Sequence, residues 1–167
     1  MSYLTVPLAS SHNRSDFLCG KGLLDNYFWY QANQDVKRKL SACFVLIDQE
    51  SEKITGYYTL SGNSISNDWI PDSFKKRLPK SYQSIPTILL GRLAIDKNFQ
   101  DKGIGKILLI DSLKRCLDIS HSIGAFAVIV DPLDKDAERF YEKYGFIKLH
   151  DSGKMFLPMK TIKELFI

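Results

Sequence analysis

The sequence predicts a single α/β domain of the α+β kind, in which helices flank a mixed central β-sheet. Three observations carry this. Two β-rich apolar runs, 40–47 and 54–60, are joined by the polar turn 48–53 and read as an antiparallel hairpin. An apolar run at 88–95, a glycine-bearing loop, a helical run at 104–119 and a second apolar run at 125–130 form a βαβ unit, whose strands must be parallel. A capped helix at 134–144 and two short closing strands follow. With 167 residues, 44% of them hydrophobic, the chain can build one sizeable core, and 1–167 reads as one domain.

Each element has a local cause. Residues 20–34 set Leu23, Leu24, Tyr27, Phe28 and Gln31 at three- and four-residue spacing along one helical face, and the basic cluster Lys37-Arg38-Lys39 ends the segment. After Ser61-Gly62-Asn63, the stretch 67–83 carries Pro71, Pro79 and Lys75-Lys76-Arg77, which predicts a short helix inside a loop. In the helix 104–119, Ile107, Leu108, Ile110, Leu113 and Leu117 are expected mostly on the inner side. The run 125–130 lacks alternation, as a strand covered on both faces does. Asp134 suits the N-cap of the last predicted helix, Gly145 its left-handed stop, and 146–149 and 155–158 the closing strands.

Composition narrows the function. Cys19, Cys43 and Cys116 are odd in number and widely spaced, and the last two sit in apolar stretches, so buried thiols are expected rather than disulfides. His12, His121 and His150 show no ligand spacing, and no metal site is predicted. No apolar run reaches membrane-spanning length, and the start Met1-Ser2-Tyr3-Leu4-Thr5 lacks the basic and apolar parts of a secretion signal. A cytoplasmic protein is expected. The net charge of +4 is a mild basic bias.

The segment from Ile88 to Gly105 runs from a strand through a polar loop into a helix start. Gly103 and Gly105, one residue apart, let the backbone approach a ligand and turn its N–H groups toward it, and the following helix aims its positive end there. An anionic cofactor is the expectation. A P-loop is excluded because Gly105-Lys106 is followed by Ile107 rather than Ser or Thr. A dinucleotide fingerprint is excluded because Leu108 stands where the third glycine belongs.

What remains, Gln100-x-x-Gly103-x-Gly105 after a strand, resembles motif A of the GNAT superfamily of N-acetyltransferases. The run Ala137-Glu138-Arg139-Phe140-Tyr141-Glu142-Lys143-Tyr144-Gly145-Phe146 resembles motif B of the same superfamily. The element order also matches the GNAT fold, a mixed sheet splayed near its middle. Further stretches, Asp16 to Gly20, Leu24-Asp25, Gln34 to Arg38, Gly56 to Ser61 and Leu89 to Ala94, resemble the acetyltransferase toxins of bacterial toxin-antitoxin pairs. The resemblance implies acetyl-coenzyme A as cofactor, with its pyrophosphate at Gln100, Asp101, Lys102, Gly103, Ile104, Gly105 and Lys106. It also implies backbone groups of Leu93, Ala94 and Ile95 at the thioester or pantetheine, and Tyr141 near the cofactor sulfur. In that group the enzyme acetylates the α-amino group of aminoacyl-tRNA and stops translation, a ribbon-helix-helix antitoxin neutralises it, and homodimers are common. One departure is Asp101-Lys102, where many relatives carry Gly or a second basic residue; an anion at 101 slightly weakens the local attraction for phosphate.

Acetyl transfer to an amine requires a neutral amine, donors for the oxyanion and a proton for the departing thiolate. Tyr141, with a phenol near pKa ~10, suits the last task; the alternative is a core aromatic sharing a helix face with Ala137 and Tyr144. The strand 88–95 contains no carboxylate to act as base, and Arg92 is its only charge. That favours an α-amine, near pKa ~8, over a lysine near ~10.4, although a base from another strand or a water chain is a further option. Arg92 must point into a cleft or find a partner. Lys37, Arg38, Lys39, Lys75, Lys76, Arg77, Lys80 and Arg92 are candidates for tRNA contact, against the alternative of solvated faces or, for Arg92, structural pairing. Glu138 and Glu142 read as solvated charges. Two other functions stay open: a GNAT enzyme for a small amine or a protein N-terminus, and a non-enzymatic RNA- or protein-binding module on a GNAT scaffold.

Overall fold

The computed structural model describes residues 2–167. Seven strands follow the order β1-β2-β3-β4-β5-β7-β6, and the chain forms two compact units, 2–61 with 90–113 and 62–89 with 114–167.

In the first unit, β1 (Val6–Pro7) lies antiparallel to β2 (Ala42–Ile47), which pairs antiparallel with β3 (Ile54–Ser66). The expected hairpin is present. Its turn is closed by the Asp48 N–H on the Lys53 carbonyl at 2.8 Å and by Asp48 Oδ2, which accepts from the Ser51 hydroxyl at 2.6 Å. The β3 strand runs further than the expected 54–60. The helix expected over 20–34 is two, α1 (Gly22–Tyr30) and α2 (Ala32–Lys37), because Gln31 leaves helical geometry at φ −121°. The break lets Asp35 of α2 accept the Tyr27 hydroxyl at 3.0 Å. Phe28 stacks on Tyr57 at 4.3 Å with Phe17 edge-on to both, and Leu8, Ala32, Cys43 and Val45 complete this core.

The strand β4 (Ser84–Ile95) starts earlier than the expected 88 and includes Pro86, which has no N–H to donate but accepts from Phe126 N–H at 2.8 Å. It leads into α4 (Ile104–Ser120). The inner face of α4 corrects the sequence reading: Leu108, Leu109, Ser112, Leu113 and Cys116 are buried, whereas Ile107 and Ile110 are each 41% exposed. Ser112 sits inside because its hydroxyl donates to the Leu109 carbonyl at 2.6 Å, which satisfies it without solvent.

In the second unit, β4 and β5 (Ala127–Val130) are parallel at Ile88↔Val128 and Leu89↔Ile129, as the βαβ reading requires. The last strand, β7 (Met155–Pro158), inserts between β5 and β6 (Ile147–Lys148), antiparallel to both. Short α3 (Asp72–Lys75) lies within the expected loop, and α6 (Met159–Leu165) follows β7. Ile65, Ile70, Ile85, Ile129, Leu149 and Phe156 form this unit's core. The helix α5 (Lys135–Lys143) begins where Asp134 Oδ1 accepts the Ala137 N–H at 2.9 Å and ends at Gly145, φ +94°. Cys19, Cys43 and Cys116 are free, buried thiols, as expected.

Candidate active site

The strand β4 ends on Ile95, and Asp96 turns the chain. This buried carboxylate accepts the Asn98 N–H on Oδ1 at 2.9 Å and the Leu18 N–H on Oδ2 at 3.0 Å. The Lys97 N–H returns a bond to the Leu18 carbonyl at 2.8 Å. Gln100 completes the staple by donating from Nε2 to the carbonyls of Cys19 at 2.9 Å and Ile95 at 2.8 Å. Its amide hydrogens are therefore engaged on backbone, and its side chain holds the shape of the loop. Asp96 escaped the sequence reading, although an Asp two residues before the amide it caps is a recognisable local signal.

The loop then curls through two left-handed residues, Asp101 at φ +62° and Gly103 at φ +77°. A Cβ on Gly103 would meet nothing within 4 Å, so the dihedral rather than crowding calls for glycine. The Gly103 carbonyl accepts the Ile107 N–H at 3.3 Å, which places Ile104, Gly105 and Lys106 in the first turn of α4. Helix geometry gives first-turn N–H groups no internal acceptor, and the helix dipole makes this end attractive to anions. Lys102, Gly103 and Lys106 are exposed and Ile104 and Gly105 half-buried, so a ligand can reach these amides. A diphosphate fits this donor set. Leu93 and Ile95 are half-buried and Ala94 buried, and all three lie past the β4–β5 ladder, which covers Ile88 and Leu89.

Tyr141 lies on α5 in an aromatic nest, 5.3 Å from Phe140 and 5.2 Å from Phe146 between ring centroids. Burial pushes its phenol above the ordinary range, so it stays protonated at neutral pH. Among the described residues its hydroxyl finds no hydrogen-bond partner, although the residue is only 7% exposed. A buried phenol that is neutral and unpartnered suits donation to a ligand atom. On the same helix Glu138 pairs with Lys148 at 2.7 Å and Lys135 at 3.4 Å, and Glu142 faces Lys148 at 3.6 Å.

Arg92 resolves toward a partner. Its guanidinium lies 3.4 Å above the Tyr27 ring centroid, and burial together with the Asp35 hydrogen bond pushes the Tyr27 phenol up to about 12. The side chain of Arg92 is still half-buried rather than enclosed. Lys37, Arg38 and Lys39 are exposed at the end of α2 in the first unit. Lys76, Arg77 and Lys80 are exposed in the second unit, where Lys75 is half-buried and 4.0 Å from Asp68.

A glycine loop opening the helix of a βαβ unit and a neutral buried phenol on the following helix of the chain are the two features expected of a GNAT acetyltransferase. A family model described as an acetyltransferase (GNAT) domain matches residues 80–162. "Probable toxin TacT" of Sinorhizobium fredii is 32% identical over 92% of this chain and 89% of its own length. A "tRNA-acetylating toxin" of Mycobacterium tuberculosis is 30% identical over 99% of this chain and 98% of its own. Among solved structures, AtaT complexed with acetyl-methionyl-tRNAfMet superposes with a TM-score of 0.89 at 27% identity, covering 99% of this chain and 100% of that one. A mutant of AtaT bound to the C-terminus of the antitoxin AtaR and acetyl-CoA gives 0.80 at 26% identity, covering 97% and 96%. The chain belongs to the GNAT acetyltransferases and, within them, groups with the acetyltransferase toxins.

Proposed function

We propose that this protein is an acetyl-CoA-dependent toxin that acetylates the α-amino group of aminoacyl-tRNA and so blocks translation. The observation that carries the reading is its end-to-end relation to a tRNA-acetylating toxin, over 99% of this chain and 98% of the other. When bound, acetyl-CoA supplies an acetyl group activated as a thioester. The amides of the loop from Gly103 to Lys106 hold its diphosphate, and the backbone of Leu93, Ala94 and Ile95 aligns the pantetheine. The Tyr141 hydroxyl returns a proton to the departing thiolate. The strand β4 supplies no carboxylate as base, and Asp96 at its end has both oxygens engaged, which favours an acceptor amine that is already partly neutral. Arg92 and the exposed cations Lys37, Arg38, Lys76 and Arg77, with Lys75, contact the tRNA.

The protein acts in the cytoplasm as a homodimer, and a ribbon-helix-helix antitoxin neutralises it. The AtaT relative's complexes with acetyl-methionyl-tRNAfMet and with the C-terminus of its antitoxin support the tRNA substrate and an antitoxin partner. Mass spectrometry of aminoacyl-tRNA after incubation with acetyl-CoA and the protein tests the reaction. An added acetyl group on the α-nitrogen is expected; unmodified aminoacyl-tRNA from folded, acetyl-CoA-binding protein would refute it.

A further inference from the structure

The first unit carries a groove of about 450 Å³ that the acetyl-transfer chemistry does not use, lined by His12, Asn13, Arg14, Ser15, Trp29 and Tyr30. Its size falls within the range of small-ligand sites. Among the described residues the wall holds two aromatic rings and no carboxylate. Tyr30 is 73% exposed, and its ring lies edge-on to Trp29 with centroids 6.0 Å apart. The indole of Trp29 is held by its Nε1–H, which donates to the Phe17 carbonyl at 2.7 Å.

The polar groups of the groove are biased toward donors. Arg14 is fixed by Nη1, which donates to the carbonyls of Phe28 and Trp29 at the end of α1, each at 3.0 Å. Among the described residues its Nη2 and Nε find no partner. His12 accepts the Ala9 N–H on Nδ1 at 2.9 Å, so the neutral ring carries its proton on Nε2 as a further donor. Asn13 is occupied, accepting from Ser15 on Oδ1 and donating from Nδ2 to Asp16. A guanidinium, an imidazole N–H and two ring faces together match a planar, π-bearing, anionic ligand. That combination is a nucleotide.

We infer that this groove binds one unpaired nucleotide of the tRNA substrate, its base on the Tyr30 or Trp29 ring and its phosphate at Arg14. The inference rests on the aminoacyl-tRNA reading and adds a place where the nucleic acid is gripped away from the reacting amine. Exposed Lys37, Arg38 and Lys39 follow within the same unit, at the end of the next helix.

The test uses the full chain carrying Trp69→Phe, so that Trp29 is the sole indole reporter. Uncharged tRNA is expected to quench its emission, and Tyr30→Ala to raise KM for aminoacyl-tRNA about fivefold or more, the lower end for one lost base–aromatic stack. The kcat, the acetyl-CoA Kd and the melting temperature should stay at parental values, and Tyr30→Trp should restore KM. An unchanged KM in Tyr30→Ala overturns the inference. So does quenching by free adenosine or cytidine monophosphate with none by tRNA, which would make the groove a mononucleotide site. If the parent acetylates no aminoacyl-tRNA, the functional reading fails on its own, while quenching by uncharged tRNA still decides the groove.

Discussion

Tyr141→Phe separates catalysis from stability. Among the described residues the hydroxyl has no hydrogen-bond partner, and its oxygen is not sealed from solvent, so it neither stabilises the unliganded fold nor costs it a buried unpaired group. Its removal keeps the ring contacts to Phe140 and Phe146, and the variant should stay within about 0.5 kcal/mol of parental stability, or ~2 °C in melting temperature for a chain of this size. The same change removes the proposed proton donor, and general acid catalysis contributes about 10²–10⁴-fold to rate. Urea unfolding and initial rates of aminoacyl-tRNA acetylation are the paired assays, with acetyl-CoA Kd by calorimetry as control. Burial raises the phenol pKa, so the protonated form persists across neutral pH; the parental rate should rise as the acceptor amine deprotonates through pH about 8 and show no loss from Tyr141 ionisation below about pH 10. A variant with kcat within about threefold of parental, or one that still arrests growth as the parent does, refutes the role of Tyr141.

Four further outcomes are expected. Gly103→Ala forces an L-residue to φ +77° without a clash, at about 1–2 kcal/mol already present in the unliganded fold, so urea unfolding should show that loss and the melting temperature should fall by about 2–8 °C; an equally stable variant would mean that the loop relaxes away from this dihedral. Arg92→Lys loses the planar stack on Tyr27 and should cost about 1 kcal/mol in urea unfolding; an equally stable variant would mean that the stack contributes nothing. Reversing Lys37, Arg38, Lys75 and Lys76 to glutamate should abolish tRNA acetylation and flatten its salt dependence while leaving acetyl-CoA Kd near parental, whereas an unaltered rate would place the tRNA elsewhere. Burial pushes the Cys43 and Cys116 thiols from 9.0 up to about 12. Because the folded state favours the neutral thiol, that stability is complete below pH 9 and is lost from there toward 12, by roughly 1.4 kcal/mol per pH unit per thiol. Unfolding curves between pH 8 and 11 should slope accordingly, and Cys116→Ala should make the slope shallower.

Legibility followed the range of the interactions. The hairpin, the βαβ unit and the strand Met155–Pro158 could be read because each is announced by a local pattern of apolar residues and a turn. The start and stop of α5 could be read because an Asp cap and a left-handed glycine act within a few residues. The break at Gln31 could not, since it answers to the hydroxyl of Tyr27 reaching Asp35 eight residues away in another helix. The inner face of α4 is harder to read, because Ser112 satisfies its own hydroxyl on the Leu109 carbonyl and is buried beside Leu108, Leu109 and Leu113, whereas the apolar Ile107 and Ile110 stay exposed. At the candidate site the glycines were legible and the staple was not. Gln100 reaches back 81 positions to Cys19, and Asp96 78 positions to Leu18, distances over which spacing carries no signal.

The chemistry of β4 bears on substrate choice through protonation alone. The strand contributes no carboxylate, and Asp96 at its end has committed both oxygens to backbone N–H groups, so neither offers a base to an incoming ammonium. At pH 7.5 an α-amine with pKa near 7.8 is about one-third neutral, whereas a lysine near 10.4 is neutral in roughly one part per thousand. An enzyme that relies on the existing neutral fraction therefore favours the α-amine by a factor of a few hundred before any contact is made, about 3 kcal/mol of selectivity. Esterification of the amino acid to tRNA lowers the amine pKa further and widens the gap. A carboxylate placed on the strand would erase part of this discrimination by deprotonating lysine at the site, so the absence of a base on β4 acts with, rather than against, a preference for charged tRNA.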